Sequence, residues 1–213
     1  MKIITVILAR GGSKRIPKKN IIDINGKPLI WYSINASLNS NVNETWVSTE
    51  DREIKQISLK YGAQVIDRPI ELSDDIIMPD KPLVHAAEQI DSDIVVFIQP
   101  TSPLIKPKYI DKGIEMMLTG KYDSVFTAYK KAWDATWNKD IEPHGWDMYN
   151  RPRSQDAEEL WIEDGMCYIT KKDCLLTSGL RYSGKMGVIE IDFKDSFEID
   201  TFEDVELIKK LLK

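Results

Sequence analysis

The sequence predicts a three-layer α/β fold in which helices cover both faces of a mostly parallel sheet. Short apolar segments alternate along the chain with segments whose apolar residues recur at helical spacing. Two of the apolar segments are followed by loops rich in glycine, proline or cations, and ligands of such folds bind beyond the carboxyl ends of the strands. At 213 residues, the chain is expected to form a single domain over residues 1–213.

Each predicted element has its own signal. The segments Ile3–Leu8 and Ile94–Ile98 are almost entirely apolar, which indicates buried strands. Pro28 and Thr201 stand where helices begin, and both residue types are typical start signals. The predicted strands are Ile3–Leu8, Thr45–Ser48, Gln64–Ile66, Ile94–Ile98, Ser124–Ala128, Met166–Ile169 and Val188–Ile191. The predicted helices are Pro28–Leu38, Arg52–Tyr61, Lys81–Gln89, Lys108–Leu118 and Phe202–Leu212.

One region departs from this alternation. Residues 129–161 contain Trp133, Trp137, Trp146 and Trp161 without a clean period. Such a small, aromatic-rich insertion is either a satellite core or a flap that forms an interface and part of a binding site.

Composition and charge exclude several functions. A net charge of −5 disfavours binding to nucleic acid, and the cations are instead concentrated in the first twenty residues. The chain has two cysteines and two histidines, so a zinc site is not expected, and Cys167 is predicted to be a core residue. Neither a signal peptide nor a membrane span is recognised, and a cytoplasmic protein without a membrane partner is therefore expected.

The loop after the first strand reads ARGGSKRIPKKN from Ala9 to Asn20. Glycines allow backbone N–H groups to approach phosphate oxygens, and Arg10, Lys14 and Lys19 can neutralise a phosphate that is transferred or released. The spacing matches neither G-x-x-x-x-G-K-[ST] nor G-x-G-x-x-G. A solvated surface turn is the alternative.

Two further loops follow predicted strands. In QPTSPL, which starts at Gln99, two prolines stiffen the loop and would fix the direction of the side chains of Gln99, Thr101 and Ser102. A rigid turn without a binding role explains the two prolines equally well. Arg68 stands at the end of another strand, where an arginine can bind phosphate through two hydrogen bonds. It could equally cap a helix or pair with Asp74.

The segments from Ala9 to Asn20 and from Gln99 to Leu104 closely resemble two motifs of the acylneuraminate cytidylyltransferases, the CMP-sialic acid synthetases and their relatives that act on other nine-carbon sugar acids. The segment from Arg68 resembles R-P-x-x-L-x-x-D, and those around Arg153 and Gly165 resemble R-x-Q and N-G-x-x-Y-I. The resemblance covers nearly the whole chain apart from the tryptophan-rich stretch. It implies a Rossmann-like nucleotidyltransferase fold and a reaction of CTP with a nonulosonic acid that yields a CMP-sugar and pyrophosphate.

The resemblance also implies residue roles. Arg10, Lys14 and Lys19 would act in catalysis by holding the triphosphate and stabilising the leaving pyrophosphate. The expected nucleotide-binding residues are Ala9, Arg10, Gly11, Gly12, Ser13, Asn20 and Arg68. The expected sugar-binding residues are Gln99, Thr101, Ser102, Arg153 and Gln155, with Arg153 the first candidate and Lys139 a weaker one for the sugar carboxylate.

Two positions depart from the family pattern. Glu198 stands where the family has the first aspartate of D-x-D-T, and alternation along an extended segment would turn Glu198 and Asp200 toward one Mg²⁺ ion. Capping of the last helix by Asp200 or Thr201 is the alternative. Asp164 stands where the family usually has asparagine, and Asp164–Gly165 is expected to form a hairpin turn.

The family further implies a homodimer, with residues 129–161 as a flap for dimerisation or for the sugar site. Two other functions stay open. One is a different sugar nucleotidyltransferase of the same fold, acting on Kdo or a sugar phosphate, although Kdo enzymes carry an aspartate-bearing loop where this chain has QPTSPL. The other is a catalytically weakened, nucleotide-binding homologue. No general base is assigned.

Overall fold

A seven-stranded sheet forms the middle layer of the computed structural model, which describes residues 1–131, 133–157 and 159–213. Its strands are β1 (Ile3–Leu8), β2 (Glu44–Thr49), β3 (Gln64–Asp67), β4 (Ile94–Ile98), β5 (Ser124–Lys131), β6 (Leu160–Lys171) and β7 (Met186–Glu190). Their order across the sheet is β7-β5-β6-β4-β1-β2-β3.

The sheet is parallel except at β6. Strand β1 pairs in parallel with β2 and β4, and β3 and β7 pair in parallel with β2 and β5. Strand β6 runs antiparallel to both β4 and β5. The chain moves from β1 outward to β3 and then returns to the other side of β1 with β4, so the strand order reverses between β1 and β4. The predicted three-layer α/β fold is confirmed.

Helices flank the sheet and bury both of its faces. They are α1 (Leu29–Leu38), α2 (Arg52–Lys60), α3 (Asp80–Gln89), α4 (Pro107–Leu118), α5 (Lys172–Ser178) and α6 (Phe202–Leu211). Because successive side chains of a strand point to opposite faces, Ile7 belongs to one core with Ile34 and Ile110, whereas Val6 belongs to the other core with Leu83. Residues Ile3 to Ile7 and all of β4 are buried, as strands covered on both faces must be.

The five predicted helices are present, and each of their ends lies within one residue of the prediction. Helix α5 was not predicted, because its seven residues give too short a run to show a helical period. None of the described helices is long and apolar enough to cross a membrane.

The predicted hairpin turn at Asp164–Gly165 is wrong. Strand β6 runs through both residues and continues to pair with β5 as far as Leu160 opposite Lys131, so the chain does not reverse there. The register shifts between Glu163 and Tyr168, and Gly165 has a φ of 77°. The pair therefore lies in an enlarged β-bulge, where five steps along β6 match two along β5, and glycine supplies its left-handed backbone.

The aromatic insertion, residues 129–161, includes positions 132 and 158, which lie outside the described residues. Its described part holds a short two-stranded ladder, Thr136–Trp137 with Pro143–His144. The ring of Trp146 packs edge-on against Trp133 and Trp137, at 5.9 and 5.1 Å between ring centroids. Tyr149 is 93% exposed. The insertion thus has a small aromatic cluster and an exposed aromatic surface.

Candidate active site

A cleft of about 670 Å³ opens at the carboxyl ends of β1, β3 and β4. The predicted phosphate-binding residues Arg10, Lys14 and Lys19 line it, and Gln99 and Asp200 line it from other loops. Residues that are up to about 190 positions apart along the chain therefore share one cavity, because strand ends of a parallel sheet meet at the same edge. The cleft lies at the reversal of strand order between β1 and β4.

The basic loop after β1 meets an acidic residue that the sequence did not single out. Asp75 forms an ion pair with Arg10 at 2.5 Å and a second ion pair with Lys14. The hydrogen bond from Lys14 and the nearby Arg10 charge hold the pKa of Asp75 below its ordinary value. The carboxylate thus stays ionised and pairs with two of the cations that were predicted to bind phosphate.

The third predicted cation, Lys19, contacts the opposite wall. Its Nζ donates to the carbonyl of Ile199 at 2.9 Å and to Asp200 Oδ1 at 3.1 Å, and Arg15 reaches Asp200 Oδ2 at 3.0 Å. Thr201, rather than Asp200, caps α6 through a capping box with Asp204. The carboxylate of Asp200 is therefore left to face the cleft and its cations.

Glu50, at the end of β2, ties three segments together beneath the cleft. Its Oε1 accepts the backbone N–H of Gly11 at 2.7 Å, and its Oε2 accepts the hydroxyl of Ser73 at 2.9 Å. Arg68 NH2 lies 3.8 Å from Oε2 and donates to the carbonyl of Ser48 at 2.6 Å. Arg68 thus borders the cleft but neither caps a helix nor pairs with Asp74.

The two glycines of the first loop have different surroundings. A Cβ at Gly11 would stand 2.5 Å from Asp51 Oδ2, whereas a Cβ at Gly12 would meet nothing within 4 Å. The N–H of Gly11 already donates to Glu50, so this amide is not available to a phosphate. Gly11 is needed for close packing, and Gly12 leaves open space at the surface of the loop.

Of the other nucleotide-binding candidates in this loop, some line the cleft and some hold the loop in position. Ser13 and Asn20 line the cleft, and Asn20 Nδ2 donates to the carbonyl of Arg10 at 2.9 Å. Ala9 is fully buried, and its N–H donates to the carbonyl of Ser48. Asn20 and Ala9 therefore fix the path of the loop, which sets where Arg10 can reach.

Gly165 brings the two predicted sugar and metal loops together. Gln99 Nε2 donates to the carbonyl of Gly165 at 2.6 Å, which leaves the amide oxygen of Gln99 unused by this contact. A Cβ at Gly165 would stand 2.7 Å from Glu198 Oε1 and 2.9 Å from Gln99 Nε2. Ser102, fully buried, donates to Glu198 Oε1 at 3.1 Å. The bulge in β6 thus orients Gln99 and packs against Glu198.

On this side of the cleft the carboxyl group of Asp164 is buried and that of Glu198 is half-buried. Burial raises the pKa of Glu198 to about 7, and the charges of Asp164 and Asp200 act in the same direction. Burial also raises the pKa of Asp164 to about 6, because the hydrogen bond from Thr127 at 2.6 Å only partly compensates. Asp164 is 9% exposed, and its Oδ2 has no hydrogen-bond partner among the described residues.

The comparison with known proteins settles the family. The Cytidylyltransferase family matches residues 4–212, and the Campylobacter jejuni pseudaminic acid cytidylyltransferase is 32% identical, with 100% of this chain and 97% of that protein covered. The chain belongs to the cytidylyltransferase family. The resemblance seen in its motifs is confirmed.

Other relatives of this cytidylyltransferase agree. The Danio rerio N-acylneuraminate cytidylyltransferase A is 36% identical over 93% of this chain, which spans only 48% of that protein's length. The Legionella pneumophila CMP-N,N'-diacetyllegionaminic acid synthase is 31% identical, with 100% and 97% covered. The structure of a CMP:2-keto-3-deoxy-manno-octonic acid synthetase with CTP superposes with a TM-score of 0.77 over 100% of this chain and 98% of that one, at 21% identity, and supports the fold.

Some predicted sugar-binding residues of this cytidylyltransferase lie apart from the cleft. Thr101 lines it, and Ser102 supports Glu198 from beneath. Arg153 and Gln155 are not among the lining residues, and Arg153 is exposed and pairs with Asp156 in its own segment at 2.5 Å. The aromatic insertion of one chain therefore does not bring these two residues to the cleft of the same chain.

Sequence reasoning missed the apolar wall of the cleft. Phe97 faces the cavity together with Pro79 and Pro82. Arg181 stacks 5.6 Å from the centroid of Phe97 and donates to Asp80 through two side-chain hydrogen bonds, at 2.7 and 3.0 Å. No sequence motif indicated this wall, since its residues come from two segments that are distant in the sequence. Asp75, by contrast, is the last residue of R-P-x-x-L-x-x-D, which could have identified it.

The donor set of the cleft fits magnesium. Glu198 and Asp200 both line the cavity, and no group of three or more histidine, cysteine or acidic residues within residues 1–131, 133–157 and 159–213 is placed to hold a metal ion. Magnesium is typically bound through one or two carboxylates together with substrate phosphates and water. Two carboxylate residues beside cations suited to a triphosphate therefore match a metal ion that is shared with the substrate.

Proposed function

We propose that this cytidylyltransferase transfers CMP from CTP to a nonulosonic acid and releases pyrophosphate. The observation that carries the proposal is the cleft itself, in which Arg10, Lys14 and Lys19 face the carboxylates Glu198 and Asp200 at the carboxyl ends of the strands. The relatives that are at least 31% identical and nearly fully covered carry the names of pseudaminic and legionaminic acid enzymes, which favours nine-carbon sugar acids.

The reaction asks the protein mainly for positioning and charge stabilisation. The anomeric hydroxyl of the sugar acid would attack the α-phosphorus of CTP, and the bond from that phosphorus to the oxygen that bridges to the β-phosphate would break. Arg10, Lys14 and Lys19 would stabilise the charge that accumulates on the leaving pyrophosphate. Gln99 and Thr101 would orient the sugar from the neighbouring loop.

We propose Mg²⁺ as the cofactor, held by Asp200 and Glu198. When bound, it would neutralise charge on the phosphate oxygens of CTP. The exposed carboxylate of Asp200 pairs with Lys19 and Arg15, so a metal ion would compete with these two cations for its oxygens. Glu198 is held beside it by Ser102.

We also propose a homodimer formed through residues 129–161. Support comes from the exposed aromatic side chains Trp137, Tyr149 and Trp161 on this insertion. Arg153 and Gln155 lie outside the cleft of their own chain, so their predicted contact with the sugar acid would have to be made in the cleft of a second copy. Cytoplasmic location and the absence of a nucleic-acid partner stay predictions.

The first experiment measures pyrophosphate release with Mg²⁺, each of the four common nucleoside triphosphates, and a panel of eight- and nine-carbon sugar acids and sugar phosphates. We expect release with CTP and one nonulosonic acid. Arg10→Ala and Asp200→Ala should each lower the rate about 100-fold or more, since each removes a charge that acts on the phosphates. Lys121→Ala, on the surface away from the cleft, is the matched control and should keep the rate.

Three results would contradict the proposal. Release only with a sugar phosphate would indicate a different sugar nucleotidyltransferase, and release only with Kdo would indicate an eight-carbon substrate. Binding of CTP without release for any sugar would indicate a nucleotide-binding homologue.

A further inference from the structure

The loop of residues 73–79, called here the acidic loop, places a carboxylate where the reaction needs a phosphate. Asp75 uses both of its oxygens: Oδ1 pairs with Arg10 NH2 at 2.5 Å, and Oδ2 pairs with the ammonium of Lys14. These are two of the three cations that the proposed function assigns to the triphosphate. Asp75 occupies donors of Arg10 and Lys14 that face the cleft, so a triphosphate would compete with Asp75 for them.

The neighbouring carboxylate of Asp74 provides a comparison within the same loop. Asp74 also lines the cleft, yet it forms no ion pair among the described residues, and its Oδ1 lies 3.4 Å from the N–H of Ile76. The ion pairs with the basic loop are therefore specific to Asp75 and are not shared by its neighbour Asp74.

The acidic loop is anchored at both ends and largely exposed between them. The hydroxyl of Ser73 donates to Glu50 Oε2 at 2.9 Å. The carboxylate of Asp80, just beyond the loop, accepts hydrogen bonds from the backbone N–H and the guanidinium of Arg181. Between these anchors, Ile76 is 84% exposed and Met78 is also exposed. The central residues can thus move away from Arg10 while the two ends keep their places.

We propose that Asp75 is the resident anion of the phosphate site: it holds Arg10 and Lys14 in place when no nucleotide is bound, is displaced by the triphosphate, and returns as pyrophosphate leaves. This role rests on the proposed function. It keeps the cations oriented in the empty site, because a charged side chain with a partner samples fewer positions than a free one. It also limits the affinity for polyphosphate, because every polyphosphate must compete with an anion of the same chain.

The proposal is tested by the binding of inorganic tripolyphosphate and pyrophosphate, measured by calorimetry without Mg²⁺ on the full chain. Asp75→Asn should tighten both affinities about fivefold. This factor corresponds to the modest free energy that partly exposed ion pairs contribute, which the polyphosphate no longer has to overcome. Asp74→Asn changes net charge equally and should tighten them less than twofold. Asp75→Glu restores the competing anion and should return the affinities toward wild type. An unchanged melting temperature of the three variants would show that each is folded.

Steady-state kinetics separate this role from a purely structural one. Asp75→Asn should lower the KM for CTP and strengthen product inhibition by pyrophosphate, without a matching gain in kcat, since the returning carboxylate no longer assists release. Equal polyphosphate affinities for Asp75→Asn and Asp74→Asn would overturn the proposal. Weaker binding by Asp75→Asn would also overturn it and would make Asp75 a group that supports phosphate binding. Because the binding test needs neither CTP nor a sugar, it can succeed or fail independently of the proposed reaction.

Discussion

The two sides of the cleft hold their charged groups in different ways. On the phosphate side, defined by residues 9–20 and the acidic loop, cations and carboxylates pair with each other and stay partly exposed. On the sugar side, defined by Gln99, Ser102, Asp164 and Gly165, the carboxyl group of Asp164 is buried and accepts a hydrogen bond from the hydroxyl of Thr127. Partly exposed ion pairs exchange at low cost, whereas buried groups are fixed by packing.

This difference suits the ligands that each side is proposed to bind. A phosphate site has to take up and release a highly charged group in every turnover, and exchangeable ion pairs allow this. A sugar site has to select among similar hydroxyl and acylamino patterns, for which fixed hydrogen-bonding groups are needed. The comparison predicts that small changes will harm the sugar side more than the phosphate side.

The largest effect is expected for Gly165→Ala. Its new Cβ would approach Glu198 Oε1 to 2.7 Å and Gln99 Nε2 to 2.9 Å, at a φ of 77° that alanine disfavours. We expect a loss of about 3 kcal/mol in the free energy of unfolding and about a 100-fold loss in kcat/KM for the sugar acid. Urea denaturation and kinetics measure the two. A fully active and stable Gly165→Ala protein would show that the sugar side is not fixed by this bulge.

A smaller effect is expected for Asp164→Asn, and it should depend on pH. The pKa of Asp164 is raised to about 6 in the folded protein, so the folded state binds a proton more readily than the unfolded chain. The stability that this proton contributes is complete below about pH 4 and is lost as the pH rises through about 6. Asparagine does not titrate, so this dependence disappears in the variant.

Relative to wild type, Asp164→Asn should therefore gain on the order of 2 kcal/mol in the free energy of unfolding between pH 4 and pH 8. Denaturant melts at several pH values measure this difference, with Asp91→Asn on the exposed surface as the control. A difference that stays constant with pH would show that Asp164 is ionised in the folded protein as readily as in the unfolded chain.

The smallest effects are expected on the phosphate side, where two adjacent glycines form a matched pair. Gly11→Ala would press its Cβ against Asp51, whose side chain caps α2 by accepting the N–H groups of Glu53 and Ile54. Disturbing this cap should cost about 1 kcal/mol of stability. Gly12→Ala meets open space and should change stability by less than about 0.5 kcal/mol. Thermal melts compare the two, and equal losses would contradict the distinction.

Local sequence determined much of this protein. The apolar runs at Ile3–Leu8 and Ile94–Ile98 became strands with those same bounds, because a strand buried on both faces is almost entirely apolar. Thr201 was recognised as a start signal because a threonine side chain can accept an N–H of the first helical turn. The motifs from Ala9 and from Gln99 indicated the family and the edge of the sheet where the cleft lies.

Tertiary structure decided the partners. Arg10 and Asp75, Lys19 and Asp200, and Gly165 and Gln99 meet only because distant strands end at one edge of the sheet. The bulge at Gly165 looked like a turn in the sequence, since glycine after aspartate allows either, and the pairing of β6 with β5 chose between them. The sequence gives the chemical type of each side chain. Ion pairing, burial and the resulting pKa values depend on neighbours that only the folded chain brings together.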